Sequence, residues 1–91
     1  MEFKSDSKKS ESNKAKHGID FETAKAIWND EGAYIATVFR DDEPRFIVVG
    51  MIESTLWTAV ITYRGEKIRI ISVRRSRSKE VETYDQFKEA G

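Results

Sequence analysis

Thr55-Leu56-Trp57-Thr58-Ala59-Val60-Ile61-Thr62-Tyr63-Arg64-Gly65-Glu66-Lys67-Ile68-Arg69-Ile70-Ile71-Ser72-Val73 is the stretch that decides the fold. Two runs rich in β-branched and aromatic residues, Thr55–Tyr63 and Glu66–Val73, flank Arg64-Gly65, and such runs around a glycine turn predict a β-hairpin. Upstream, Arg45–Ile52 is β-branched, apolar and long enough for a central strand, and Glu53-Ser54 joins it tightly to the hairpin. Before it, Ala33–Phe39 reads as another strand, followed by the turn-rich Arg40-Asp41-Asp42-Glu43-Pro44. Strands joined by loops this short run antiparallel. The expectation is an α+β domain built on an antiparallel meander of four strands. Met1–Lys4 is a candidate fifth, short edge strand.

The helices lie on either side of this block. Asp6–Lys16 is a polar helix candidate, ended by Gly18, which suits a left-handed helix C-terminus. Asp20 suits the N-cap of a second helix, Phe21 to about Trp28, with Phe21, Ala24, Ile27 and Trp28 on one face. Ser76 or Ser78 is the expected cap of a last helix whose apolar face is Val81, Tyr84 and Phe87. Sheet and helices together predict one domain over residues 1–91.

With no cysteine and one histidine, neither a disulfide framework nor a zinc site built on thiolates or imidazoles is available, so no metal or cofactor is expected. No apolar run approaches the ~20 residues that span a bilayer, and the first nine residues lack the apolar core of a secretory signal. A cytoplasmic protein with no membrane partner is expected.

The net charge of zero conceals a strong segregation. Residues 64–79 hold Arg64, Lys67, Arg69, Arg74, Arg75, Arg77 and Lys79 against the single Glu66, whereas residues 18–63 are strongly acidic. A segment this basic in a neutral chain suits phosphate; the alternative is a solvated face whose arginines pair with Glu80, Glu82 and the acids at 41–43. Alternation along Glu66–Val73 predicts Ile68 and Ile70 on one face, and Lys67, Arg69, Ile71 and Val73 on the other. Arg74 and Arg75 leave the strand at one end, and Arg64 sits at the hairpin tip. Cations strung along a strand can follow the phosphates of single-stranded RNA. Arg77, past the strand near a helix start, is expected to matter less.

Lys16-His17 sits at the break between helices. RNA cleavage by the neighbouring 2′-hydroxyl needs a base, cations to stabilise the phosphorane and an acid for the departing 5′-oxygen. One histidine cannot fill both proton-transfer roles, so Lys16 or Arg69 assists, or electrostatic stabilisation carries the reaction. Among Trp28, Trp57, Tyr63 and Tyr84, Tyr63 beside the Arg64 turn is the better candidate for stacking a base.

These residues carry a family resemblance. Asn13-Lys14-Ala15-Lys16-His17-Gly18-Ile19-Asp20-Phe21-Glu22-Thr23-Ala24 resembles the Asn-x-x-Lys-His-Gly-Val-x-Phe-x-x-Ala signature of BrnT toxins. Phe3 and Asp6 match the family's opening, with Ser5 where an aromatic is usual. Glu43, Arg45 and Val49-Gly50 resemble its Glu-x-Arg followed by Ile-Gly. Tyr63 to Arg75 resembles its Arg-Gly-x-x-Ile-Arg-Ile-Ile-Ser-Ala-Arg ending, and Glu80 with Tyr84 its final Glu-x-x-x-Tyr.

The resemblance implies a RelE-like fold and a ribonuclease toxin of a type II toxin–antitoxin system that cuts RNA to stop translation. It implies a BrnA-type ribbon-helix-helix antitoxin, paired with the toxin in a heterotetramer and alone contacting DNA. Read with the basic strand, it gives Lys16, His17, Arg64, Arg69 and Arg74 as catalytic candidates and Arg45, Arg75, Lys67 and Tyr63 as RNA-binding ones. The antitoxin is expected to cover the basic side near Arg64, Arg69 and Lys16-His17. The other class of function compatible with the sequence is a non-catalytic RNA- or protein-binding module using the same strand.

Overall fold

The computed structural model describes residues 2–4, 6–39 and 44–90. Ser5, the acids at 41–43 and Arg40 of the expected turn lie outside them, as does Met1 of the expected edge strand. Strand β1 (Glu2–Lys4) leads into α1 (Ser7–His17), α2 (Phe21–Ala24) and a 3-10 turn (Lys25–Asn29). Then come β2 (Tyr34–Phe39), β3 (Pro44–Ile52), β4 (Thr55–Arg64), β5 (Lys67–Arg75) and α3 (Ser78–Ala90). None of the described helices is long and apolar enough to cross a membrane.

The sheet corrects the expected four-stranded antiparallel meander. Its order is β1-β5-β4-β3-β2, and β1 lies parallel to β5 in an otherwise antiparallel, open sheet. A parallel neighbour requires a crossover, and the whole helical segment and the other strands separate β1 from its partner. Local alternation in three residues carries no trace of that pairing.

The helix boundaries follow local chemistry. Asp6 accepts from the backbone N–H of Lys8 and Lys9, and Gly18 ends α1 with φ 82°. Asp20 caps α2 through the Thr23 N–H at 2.7 Å. The second helix is tighter than expected beyond Ala24, where the 3-10 turn brings Ile27 down onto β3. A Cβ on Gly50 would sit 2.8 Å from Ile27 Cγ2 and 3.0 Å from its carbonyl oxygen. Only glycine admits that approach. Neither candidate serine caps α3. The Arg77 carbonyl accepts from the Val81 N–H, and Glu80 reaches back to the Arg77 N–H at 2.8 Å, one half of a capping box.

One face of the sheet is buried under α1, α2 and the 3-10 turn. Ile68, Ile70 and Val73 from β5, Ala59 and Ile61 from β4, and Val48 from β3 pack there against Ile19, Phe21, Ala24 and Ile27. The sequence pattern assigns Val73 to the other face, and a β-bulge explains the difference. Ile61 pairs with Ile70 but Val60 pairs with Ser72, so Ile71 is an extra residue. The bulge resets the alternation. Val73 turns into the core, and Ser72 and Arg74 join Arg69 and Lys67 on the open face.

β1 covers the outer edge of β5 only as far as Arg69. Beyond it the edge is taken by a side chain. Asn13 of α1, 7% exposed, donates from Nδ2 to the Val73 carbonyl at 2.9 Å and accepts from the Val73 N–H at 3.0 Å. The same Nδ2 donates to the Ile19 carbonyl at 2.8 Å. Asn13→Ala should destabilise the chain by about 3 kcal/mol, because it strands buried backbone groups. Asn13→Asp should fare no better, since it replaces the donor by an oxygen facing two carbonyls. Urea unfolding of both variants checks this, and near wild-type midpoints would refute it.

Candidate active site

His17 lies four residues after Asn13, on the same side of α1. Fixing Asn13 to Val73 therefore sets His17 at the rim of the open face, beside Ser72 and Arg74. There it meets a cleft of about 490 Å³ whose floor is Val38, Ile47, Val60 and Ser72. Arg45, Arg74, Arg77 and Glu80 complete the wall. Register explains the convergence: Ile47 pairs with Val60 and Val60 with Ser72 across three strands.

Arg74 is held rigidly. Its guanidinium meets Glu80 as a fork, with Nη1 to Oε1 at 2.8 Å and Nη2 to Oε2 at 2.9 Å. Glu80 also accepts from Thr58 Oγ1 at 2.9 Å and from the Arg77 N–H. Burial by itself would raise the Glu80 carboxyl. The Arg74 guanidinium, the Arg77 N–H and the Thr58 hydroxyl outweigh it and hold the group down to about 2. Glu80 is thus a fixed anion at neutral pH and no proton donor. Its hydrogen bond in turn raises Arg74 above the ordinary arginine value. Nε of Arg45 is shielded from solvent and has no hydrogen-bond partner among the described residues. The described lining sets three arginines and His17 against one carboxylate.

The position of α3 depends on a second carboxylate. Asp30 accepts from the Tyr84 hydroxyl and the Met51 N–H, each at 2.7 Å, and from the Gly32 N–H at 2.9 Å. The bond to Asp30 and burial push the Tyr84 hydroxyl up to about 12. Tyr84, 2% exposed, is therefore an anchor for α3 and has no free ring face for a base. Anchoring α3 sets Arg77 and Glu80 at the cleft.

The sequence candidates separate into groups. His17, Arg45 and Arg74 meet at the cleft. Lys16 is exposed on α1 and does not line it. Arg69 lines a different cleft with Lys4 and Lys8, and Arg64 and Lys67 pair across the hairpin tip, where Gly65 adopts φ 64°. Tyr63 and Arg75 belong to the helix-covered side. The Tyr63 ring packs on Phe46 at 5.3 Å, and the Arg75 guanidinium lies 5.8 Å from the centre of the Trp57 ring. Trp28 meets Phe3 edge-on at 4.9 Å. Arg77, expected to matter less, is in the cleft wall. The sequence pattern does not single out Arg77 and Glu80 as site residues, although a glutamate three residues into a helix is a readable capping signal. No group of three or more histidines, cysteines, aspartates or glutamates able to hold a metal ion occurs among the described residues.

A family model described as the ribonuclease toxin BrnT of type II toxin–antitoxin systems matches residues 6–80. That span runs from the α1 cap to Glu80 and includes every lining residue of the cleft. No curated protein matches the chain.

The Glu80 network gives a signed pH dependence. A carboxyl lowered from 4.5 to about 2 contributes stability that is complete above about pH 4.5 and is lost as pH falls through about 2. The full contribution is roughly 3 kcal/mol. Unfolding free energies of wild type and Glu80→Gln should differ most at neutral pH and converge on acidification between those values. A difference constant with pH would refute the assignment.

Proposed function

The chain belongs to the BrnT family of ribonuclease toxins, and from this we propose that it cuts RNA in the His17 cleft by transesterification that needs no metal. The observation that carries the reading is the convergence of His17 with Arg45, Arg74 and Arg77 over one open cleft. RNA brings its own nucleophile, the 2′-hydroxyl. The imidazole of His17 is the group suited to move a proton there. The arginines stabilise charge on the pentavalent phosphorus, and Arg74 is pre-oriented for this by Glu80. As the imidazole takes the 2′-hydroxyl proton, the 2′-oxygen bonds to phosphorus, the bond from phosphorus to the 5′-oxygen breaks, and the departing oxygen takes a proton from water, leaving a 2′,3′-cyclic phosphate on one product and a 5′-hydroxyl on the other.

The domain acts as one unit in this reading, with a RelE-like arrangement and a cytoplasmic site of action. Arg69 and Lys67 of β5, with Arg64 of β4 paired to Lys67, serve RNA binding along the same face of the sheet. A BrnA-type ribbon-helix-helix antitoxin, in a heterotetramer that contacts DNA only through the antitoxin, silences the toxin by laying acidic and apolar groups over the cleft. Desolvated arginine–carboxylate pairs give that contact its specificity.

Incubation with a long unstructured RNA in EDTA should give cyclic-phosphate and 5′-hydroxyl ends; 5′-phosphate ends would overturn the mechanism. His17→Ala should lower turnover by about 10²- to 10⁴-fold, and Arg77→Ala should be impaired alongside Arg74→Ala. Pre-bound antitoxin should block RNA binding, with association slowing as salt rises. A complex that binds RNA as tightly as the free toxin would show that inhibition acts elsewhere.

A further inference from the structure

We propose that a second cleft, formed by Lys4, Lys8 and Arg69, holds a phosphate of the RNA remote from the one that is cut; this rests on the ribonuclease reading above. The cleft has a volume of about 480 Å³ and is lined by these three cations with Asp6, Ser7 and Ile70. Parallel pairing sets Lys4 beside Arg69 on neighbouring strands. Like charges placed side by side in a sheet are destabilising, so the fold carries a local cost here. None of Lys4, Lys8 and Arg69 forms an ion pair among the described residues to offset it. Asp6, the one acid in the described lining, uses Oδ1 on the N–H groups of Lys8 and Lys9.

A cluster of three such cations in a concave site fits a phosphodiester. The bulge at Ile71 places Arg69 on the same face as Arg74, so one strand of RNA can run along β5 from the His17 cleft to this one, which opens at the outer edge of β5 where Lys8 of α1 joins Lys4 and Arg69. The two arginines are five positions apart along β5, about 15 Å of strand, too far for one phosphate to touch both. The cleft therefore acts on affinity and on the length of RNA engaged, and Arg69 binds without taking part in the chemistry.

The test uses the whole chain carrying His17→Ala to prevent cleavage. It is titrated, with NMR detection so that weak binding is measurable, with a long single-stranded RNA and with a trinucleotide that fills the His17 cleft alone. Lys4 and Lys8 are exposed, so Lys4→Ala/Lys8→Ala leaves the fold intact. This change should weaken the long RNA about tenfold and lower the slope of log affinity against log salt by about 0.7 for each phosphate no longer neutralised. Trinucleotide binding should be unchanged. Equal weakening of both RNAs, or of neither, overturns the proposal. So does weakening confined to antitoxin binding, which would make the cleft a protein-docking surface. Failure of the wild-type chain to cleave any RNA would count against the ribonuclease reading, while this binding comparison would still decide the cleft.

Discussion

The contact between the Asn13 side chain and the free edge of Val73 governs much else in this molecule. A sheet edge exposes a row of unpaired N–H and C=O groups, and a strand is the usual way to satisfy them. Here β1 ends at Lys4, and an amide side chain supplies both a donor and an acceptor in its place. The helix that carries the amide is thereby docked in one position along β5. Its polar sequence offers little apolar packing of its own, so the hydrogen bonds do what a hydrophobic stripe does elsewhere. Because His17 is one turn further on, the same bonds that close the sheet also aim the imidazole.

The bulge at Ile71 is the second constraint. Strict alternation through β5 would give Arg74 the face of Ile68 and Ile70, where an arginine has no place. One extra residue exchanges Val73 and Arg74 between the two sides, which completes the core and charges the open face in a single step. Packing and electrostatics are thus coupled: the valine that fills the core is the reason the arginine reaches the cleft.

The cleft is made rigid by carboxylates that are committed elsewhere. Glu80 orients Arg74 and closes the start of α3, and Asp30 holds the other end of that anchorage through Tyr84. Each acid accepts several hydrogen bonds, so each stays ionised despite partial burial. An arginine fixed in this way has little side-chain freedom left to lose.

Period-two runs, the glycine turn and the capping aspartates sufficed to read β2 to β5, α1 and the start of α2 from the sequence, because these depend on neighbours in the chain. His17, Arg45 and Arg74 were readable as candidates through chemistry and family resemblance. Their meeting in one cleft was not, since it depends on pairings between residues far apart in sequence. The parallel pairing of β1, the bulge that moved Val73 and Arg74, the bond from Tyr84 to Asp30 and the place of Arg77 and Glu80 all arise from the tertiary structure. The physical reason is common to them. A residue's tendency to be helical or extended is local, but the face it presents depends on which distant backbone groups and carboxylates remain to be satisfied once the core has closed.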